Sequence, residues 1–298
     1  MKEKGAVIGT FDGVHRGHRV VIDRLLEVAK ERNLEPVAMT FDRHPLALIA
    51  PERAPMMLTS VSKRKKLLTD AGLSTMVFEF NEDLRQTTAE EWLKKVGKEF
   101  GVKLVVIGYD NTFGSDGLNL SVADYKEIGK RHGIEIIEAA ELKDISSSAI
   151  RKAIAAGKIE EAHSMLGRPY SLAGEVVSGN HIGRQLGFPT ANIRLTPGIA
   201  VPPEGVYAAI AKLSDGSEHT AMINIGRRPT VADNKEITIE THLIDWDGDL
   251  YGKEIILKFL SRIRDERKFE NLEALRHQLE KDRLEVLKLK SSVNKLGK

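Results

Sequence analysis

Between residue 5 and about residue 157, short apolar runs alternate with stretches in which apolar residues recur every three or four positions. Compact apolar runs mark strands and a period near 3.6 marks helices, so this half reads as alternating β and α. The predicted strands are Ala6 to Ile8, Pro36 to Phe41, Met76 to Phe80, Leu104 to Ile107 and Ile134 to Ile137. Helices are predicted over Gly17 to Arg32, where Val21, Leu25 and Val28 share a face, and over Val61 to Ala71, Ala89 to Phe100, Val122 to His132 and Ser147 to Ala156. This order predicts a parallel sheet covered by helices, a doubly wound α/β domain. Ligands in such domains lie beyond the carboxyl ends of the strands, so the segments that follow the strands matter most.

Residues 158 to 169 read as a short polar helix stopped at Gly167-Arg168-Pro169, because glycine ends a helix and proline forbids its continuation. Beyond it the period shortens to two, with strands predicted at Leu172 to Val177, Gly205 to Leu213, His219 to Ile225, Ile237 to Ile244 and Glu254 to Ile263. Repeated alternating strands with turn signals predict an antiparallel barrel. A charged helix from about Asn271 to Leu289, with Leu272, Leu275, Leu279 and Val286 available for packing, is expected to lie against it. Two domains result, residues 1–160 and 164–298, which suits a length of 298 residues.

Composition narrows the function classes. A hydrophobic fraction of 41% and a charged fraction of 30%, with no apolar run of membrane-spanning length, are those of a soluble globular protein. A net charge of +2 makes no strong field, so long-range capture of nucleic acid is not indicated, and nothing points to a membrane. The absence of cysteine excludes disulfides, thiolate metal sites and a cysteine nucleophile. Met1-Lys2-Glu3-Lys4 leads directly into the first strand with no room for a signal peptide, so the cytoplasm is expected.

The chemistry of the first half gathers where the first strand gives way to the first helix, in Gly9-Thr10-Phe11-Asp12-Gly13-Val14-His15-Arg16-Gly17-His18. A strand, glycine turn and helix aim backbone N–H groups and the positive end of a helix at one spot, which favours phosphate. His15 and His18, three apart, are expected on one helical face, and Gly17 between them leaves room for a nucleotide. Two imidazoles donating to one phosphoryl group suggest phosphate transfer. Neither a G-x-x-x-x-G-K-[ST] loop nor a G-x-G-x-x-G fingerprint occurs. After the second strand comes Asp42-Arg43-His44-Pro45, where the proline restrains His44. After the fourth comes a glycine-bounded loop, Gly108 to Gly117, containing Asp110, Asn111 and Phe113 and suited to a planar polar ligand. Ile145-Ser146-Ser147-Ser148-Ala149-Ile150-Arg151 then opens a helix with hydroxyls that can cap it or meet phosphate, followed by an arginine able to fork two phosphate oxygens.

In the second half, Gly179, Gly183 and Gly187 make a mobile loop that can approach phosphates closely, with Arg184 inside it. It ends in Pro189-Thr190-Ala191-Asn192, where Thr190 and Asn192 offer oxygen ligands of the kind that suit Mg²⁺. Glu240 lies in an alternating strand on the face opposite Ile239 and Thr241, and by strand pattern alone it is a solvent-facing glutamate. The run from Arg264 to Phe269 is, by itself, equally a solvated turn.

The motif His15-Arg16-Gly17-His18 is similar to the HxGH signature of the nucleotidyltransferase superfamily, which includes adenylyltransferases and class I aminoacyl-tRNA synthetases. The longer GTFDGVHRGH resembles its flavin-nucleotide branch, and ISSSAIR resembles the second signature of the superfamily. The segment from Gly179 to Asn192, with Asn224 to Thr230 and Asp249 to Gly252, resembles riboflavin kinase motifs. Over nearly its whole length the sequence resembles the bacterial bifunctional riboflavin kinase/FMN adenylyltransferase (FAD synthetase) family. The resemblance implies a Rossmann-like HxGH nucleotidyltransferase domain followed by a riboflavin kinase-like antiparallel β-barrel with a terminal helix. It also implies two reactions using ATP and Mg²⁺, riboflavin to FMN in the barrel and FMN to FAD with release of pyrophosphate in the α/β domain. Riboflavin, FMN and ATP would be the small-molecule partners.

Carried onto this chain, the resemblance implies that Gly9, Phe11, His15, His18, Ser147, Ser148 and Arg151 meet ATP, with His15, His18 and Arg151 stabilising charge on its phosphates. Asp42, His44, Asp110 and Phe113 would border the flavin, and Asn111 stands where the family loop carries an aromatic residue. In the barrel, Gly179, Gly183, Arg184, Gly187, Pro189, Thr190 and Asn192 would hold ATP phosphates, Thr190 and Asn192 also serving the metal. Glu240 would accept the riboflavin 5′-hydroxyl proton, and Arg264 and Phe269 would border the flavin beside it. Two other enzyme readings are a kinase alone and a tRNA-charging enzyme, the latter lacking the expected bulk and basic charge. A flavin sensor without turnover would have no use for a base.

Overall fold

The computed structural model describes residues 2–109, 112–179, 183, 186–228 and 236–296. The chain divides into two compact units, Met1–Ala149 and Ile150–Lys298. The division falls within a helix, ahead of the boundary that the Gly167 to Pro169 break suggests.

The first unit runs β1 (Lys4–Ile8), α1 (Arg16–Glu31), β2 (Glu35–Phe41), α2 (Leu46–Ile49), α3 (Val61–Asp70), β3 (Ser74–Phe78), α4 (Glu82–Gln86), α5 (Ala89–Phe100), β4 (Val102–Ile107), α6 (Val122–Arg131) and β5 (Glu135–Glu138), and reaches into α7 (Ser147–Ala155). The strands form one parallel sheet in the order β3-β2-β1-β4-β5. The chain winds outward from β1 to β3, then returns to the other side of β1 with β4. That reversal opens a crevice beyond the carboxyl ends of β1 and β4, where the Gly9 and Gly108 segments begin. Each face of the sheet has its own core. Ala6, Ile8, Met39 and Ile107 pack against Trp92, Leu93 and Val96 of α5 and Tyr125 of α6. Val7, Ala38 and Val106 pack against Ile22, Leu25 and Val28 of α1 and Leu68 of α3. Burial on both faces explains why β1 is apolar at successive positions and not at alternate ones.

The second unit contains α8 (Ile159–Leu166), β6 (Ser171–Val177), β7 (Ala191–Leu195), β8 (Gly205–Lys212), β9 (Glu218–Arg228), β10 (Glu236–Leu243), β11 (Glu254–Arg264) and α9 (Leu272–Leu296). The strands close an antiparallel barrel in the order β10-β7-β6-β11-β8-β9. Ile255, Leu257 and Phe259 of β11 are buried at alternate positions; on β10 Ile239, Thr241 and Leu243 are buried, and so is His242 between the last two. On the outside, Val286 of α9 joins Phe188, Ala208, Met222 and Ile244 in a smaller core, so the terminal helix covers one wall. α8 packs against β11 through this unit, with Ile159, Ala162 and Leu166 buried. No helix among the described residues is long and apolar enough to cross a membrane.

Candidate active sites

The two histidines of the first unit are brought together by a route other than a shared helical face. His15 is extended, at φ −81° and ψ 175°, and is the N-cap of α1, outside the helix. Its Nδ1 accepts from the backbone N–H of His18 at 3.3 Å, and the backbone N–H of His15 donates to Nδ1 of His18 at 3.3 Å. The rings stack with centroids 3.6 Å apart and planes 18° from parallel. Because each Nδ1 is an acceptor, the proton of each neutral ring resides on Nε2, giving two adjacent N–H donors. Gly17 is required for this packing, since a Cβ there would lie 3.1 Å from the His15 ring and 3.2 Å from the Ile145 carbonyl oxygen.

The turn that delivers His15 is costly. Phe11 and Val14 adopt φ of 48° and 40°, each disfavoured for a residue with a Cβ by about 1–3 kcal/mol, so surrounding contacts must hold the turn. Asp12 supplies them. Its carboxylate, 2% exposed, accepts from the N–H of Leu58 at 2.9 Å and of Thr59 at 3.1 Å, while the Thr59 hydroxyl accepts from the Gly13 N–H at 3.1 Å. The Ser147 hydroxyl donates to the Asp12 carbonyl oxygen at 2.9 Å, tying the start of α7 to the same turn. Ser146 caps α7 by accepting from the Ala149 N–H at 3.1 Å. Ser148 is next along the helix, and Arg151 follows one turn later, beyond the division between the units. Arg64 on α3 is fully buried and donates through Nη2 to the Phe41 carbonyl oxygen. Burial lowers its pKa, and the Asp12 and Asp42 carboxylates oppose that shift.

Two cavities flank the end of β1. The smaller, about 250 Å³, is lined by Phe11, His15, His18, Tyr109 and Ser147 among others. The larger, about 420 Å³, is lined by Phe41, Pro45, Phe80, Trp92, Phe113 and Leu118 among others. Ile8, Gly9 and Thr10 line both, so the cavities meet at the strand end. Phe113 is therefore on the cavity wall, its N–H donating to the Tyr125 hydroxyl oxygen at 3.0 Å and its carbonyl oxygen accepting from that hydroxyl at 2.8 Å. Asp42 and His44 do not line it. Asp42 accepts from the Phe80 N–H at 2.8 Å and from Arg43; burial would raise its pKa, but these partners outweigh burial and hold it below the usual range. Nδ1 of His44 accepts from the Leu46 N–H at 3.1 Å, and its neighbour Pro45 provides the wall. Asp110 and Asn111 lie outside the described residues.

In the barrel, strand pairing assembles the site. Glu240 is directly opposite Asn192 on β7 and directly opposite Asn224 on β9. Directly opposite residues of antiparallel strands project to the same face, so an amide, a carboxylate and a second amide form a row across three neighbouring strands. That face is the outer one, because Ile239 and Thr241 are buried on the other. A Cβ on Gly179 would lie 1.8 Å from Nδ2 of Asn192, so the absent side chain is where the Asn192 amide sits. A Cβ on Gly226 would lie 2.7 Å from Oε1 of Glu266, which places that carboxylate over β9, two residues from Asn224. Burial raises the Glu266 pKa, as do the carboxylates of Glu204 and Glu240.

A cavity of about 500 Å³ is lined by Pro189, Thr190, Ala191, Thr241, Trp246 and Tyr251 among others; Ala191 and Thr241 pair on the face opposite the row, and Asn192, Glu240 and Asn224 are not part of the lining. Thr190 is thus on its wall, with Asn192 two residues further along the chain. Gly183 and Gly187 belong to the turn before it, where the N–H groups of Leu186 and Phe188 donate to the Gly183 carbonyl oxygen. Arg184 lies outside the described residues. Arg264 is committed elsewhere: its Nε lies 2.9 Å from Oδ2 of Asp282, a carboxylate of α9 that is 1% exposed. The Phe269 ring takes the Arg264 guanidinium at 5.7 Å and the Arg267 guanidinium at 4.9 Å. This fixes the 264–269 segment against the terminal helix. Among the described residues no group of three or more His, Cys, Asp or Glu could hold a metal. A hydroxyl and a carboxamide oxygen, Thr190 and Asn192, nevertheless fit Mg²⁺, which takes few protein ligands when substrate phosphates supply the rest.

The sequence pattern gave no sign of Thr59 and Arg64 around the histidine turn or of Trp92 in the larger cavity, and it took in Asp12, Asn224 and Glu266 only as members of longer motifs, with no role of their own. Asn224 shows its signal only once the β9–β10 register is known.

The FAD synthetase family model matches residues 1–152 and the riboflavin kinase family model matches residues 166–289. The chain is 33% identical over 294 residues to a bifunctional riboflavin kinase/FMN adenylyltransferase of Bacillus subtilis (strain 168), covering 97% of this chain and 93% of that relative. It is 35% identical over 283 residues to the protein of the same description from Escherichia coli (strain K12), covering 93% of this chain and 90% of that relative. A solved structure described as a macrolide-efflux protein from Streptococcus pneumoniae superposes with a TM-score of 0.86 at 31% identity, covering 95% of this chain and 93% of that chain.

Proposed function

This chain belongs to the bifunctional riboflavin kinase/FMN adenylyltransferase family, and from that membership we propose how its residues divide between the two reactions. It phosphorylates riboflavin to FMN with ATP, and it adenylylates FMN to FAD with release of pyrophosphate. The observation that carries the assignment in the first unit is the shared wall at Ile8, Gly9 and Thr10. A flavin ring in the larger cavity and a nucleotide in the smaller one would meet there, beside the stacked His15 and His18.

In the adenylyl transfer, an FMN phosphate oxygen attacks the α-phosphorus of ATP and pyrophosphate leaves. The Nε2–H groups of His15 and His18 donate to the phosphate oxygens on which charge builds, and Ser147, Ser148 and Arg151 hold the β- and γ-phosphates. Gly9 and Phe11 bound the nucleotide. Phe113 walls the flavin, while Asp42 and His44 shape the segment that carries Pro45 and Phe80, and Asp110 is assigned with them. Positioning and charge neutralisation supply most of the catalysis.

In the barrel, Glu240 accepts the proton of the riboflavin 5′-hydroxyl as the hydroxyl oxygen attacks the γ-phosphorus of ATP and ADP leaves with the bridging oxygen. Thr190 and Asn192 are the residues that would hold Mg²⁺, which neutralises phosphate charge when bound. Gly179, Gly183, Arg184, Gly187 and Pro189 form the phosphate loop, and Arg264 with Phe269 fixes the segment that borders the flavin. The cytoplasm, where ATP is available, is the compartment we assign. Incubation with riboflavin, ATP and Mg²⁺ followed by chromatography tests the whole scheme: FMN and FAD should both form, and FMN alone would leave only the kinase.

A further inference from the structure

Leu118 lines the larger cavity of the first unit and is 92% exposed, so it stands at the opening. Ile49, 53% exposed, lines the same cavity. Single exposed apolar side chains are ordinary on a protein surface, but these two border one cavity whose wall already carries Phe41, Phe80 and Phe113. Ile49 ends α2, which follows β2, and Leu118 belongs to a 3₁₀ turn, Gly117–Asn119, which follows β4. β2 and β4 flank β1, so the segments that carry the two side chains leave the sheet on opposite sides of the strand end shared by the two cavities.

The turn holds Leu118 where it is. Gly117 is buried, and a Cβ on it would lie 2.9 Å from the Tyr125 hydroxyl oxygen, so the turn packs directly on α6. The Leu120 N–H donates to the Gly117 carbonyl oxygen at 3.2 Å, and Oδ1 of Asp116 accepts from the Ala89 N–H at 2.8 Å, at the start of α5. A fixed backbone thus presents an apolar side chain to water, which is favourable only once something apolar covers it. The isoalloxazine has one apolar edge, the dimethylbenzene, and one polar edge, the pyrimidine with its carbonyl groups and N–H. Against Ile49 and Leu118 the polar edge would lose hydrogen bonds to water and gain none, whereas the methyl groups would be covered. Polar partners stand elsewhere on the wall: the hydroxyls of Thr87 and Ser115 donate to the Asp83 and Gln86 carbonyl oxygens and keep lone pairs for a ring N–H.

We propose that Leu118 is a specificity-determining residue of the adenylyltransferase, covering with Ile49 the dimethylbenzene edge of FMN. The proposal rests on the larger cavity being the flavin site, and the two are separable by experiment. In adenylyl transfer by the full-length wild-type chain, the KM for an FMN analogue lacking both ring methyl groups should be about tenfold above that for FMN, as expected when two methyl groups are no longer there to be covered. Leu118→Ser should raise the KM for FMN about tenfold and that for the analogue about threefold or less, because the methyl edge is what the leucine touches. The KM for ATP, the rate of FMN formation and the melting temperature of the ligand-free protein should stay unchanged, since the side chain is exposed before the flavin binds. An unchanged KM for FMN, or equal rises for the two flavins, would overturn the contact with the methyl edge. A fall in melting temperature with equal increases in the KM values for FMN and ATP would also overturn it, because it would mark Leu118 as a support of its turn only. Ser115→Trp, which places an indole on the cavity wall, tests the premise: the KM for FMN should rise and that for ATP should hold. An unchanged KM for FMN in Ser115→Trp would show that the cavity is not the flavin site and would remove the proposal with it. A rise there together with an unchanged KM in Leu118→Ser would overturn the contact alone and leave the cavity assignment standing.

Discussion

Asn192 and Glu240 are direct partners in the β7–β10 pairing, so a candidate metal ligand and a candidate base project from one face with Cα atoms about 4.5–5.5 Å apart. Gly179 guards this relationship, since its Cβ position coincides with the Asn192 amide. Gly179→Ala should therefore push Asn192 aside without unfolding the barrel. The expected result is that about 10- to 100-fold more Mg²⁺ is needed for half-maximal FMN formation, the range for disturbed support of a metal ligand. Titration of FMN formation against Mg²⁺ measures it, with FAD formation from supplied FMN as the unaffected control.

His15 performs two tasks through two nitrogens, and the substitutions that separate them are His15→Asn and His15→Ala. Asparagine is a good N-cap and can still accept the His18 N–H, but it has no group in the place of the Nε2–H. Both variants should lose FAD formation by roughly 100- to 1,000-fold, the effect of removing one charge-stabilising donor. Only His15→Ala should also lose about 1 kcal/mol of stability from the missing cap. Chemical denaturation of the two variants, with FMN formation as internal control, distinguishes the roles.

Glu240→Gln preserves shape and removes the proton acceptor. FMN formation should fall in kcat by roughly 100- to 10,000-fold while nucleotide binding persists. Thr190→Ala should instead weaken binding of Mg²⁺ and ATP together, and FAD synthesis from FMN should survive both changes. Wild-type kcat for Glu240→Gln at saturating substrates would make Glu240 a plain strand residue.

The strands of the first unit were legible because burial on both faces writes them as apolar runs, and pairing with β2 merely moves β3 two residues earlier, to Ser74–Phe78. β7 was not legible: Ala191 to Leu195 is short and follows directly on a glycine-rich loop, so it reads as the end of that loop. α4, with its charged Glu82, Asp83 and Arg85, has no apolar period to betray it. The pairing of His15 with His18 was visible in their spacing, but the N-cap geometry that joins them depends on Asp12 gripping Leu58 and Thr59, some 46 residues away. Contacts of that range, like the approach of Arg64 to Phe41, leave no local pattern. Asn224 likewise gains meaning only from a register that residue spacing does not state.

The barrel unit includes α8, whose Ile159, Ala162 and Leu166 are buried. A fragment of residues 164–298 begins inside that helix and lacks Ile159 and Ala162. A fragment of residues 150–298 retains both, and each large apolar side chain so buried is worth roughly 1.5–3 kcal/mol. Both fragments are expected to phosphorylate riboflavin, with the longer one melting several degrees higher. Equal melting temperatures would mean that α8 contributes nothing to the barrel.

The same helix carries a pH dependence. Nε2 of His163 is buried without a partner, and burial alone pushes its pKa down from 6.5 to about 4. Between those two values the unfolded chain binds a proton at this position that the folded unit does not, so folding stability falls as pH falls through that window. Above pH 6.5 the residue is neutral in both states and contributes no slope. His163→Leu removes the titrating group and also the unsatisfied nitrogen. In the 150–298 fragment, the variant should lose less stability than the parent between pH 6.5 and 4, and should be at least as stable at pH 7. Urea midpoints measured across that range test both statements, and parallel curves for parent and variant would show that His163 is protonated as readily in the folded barrel as in the unfolded chain.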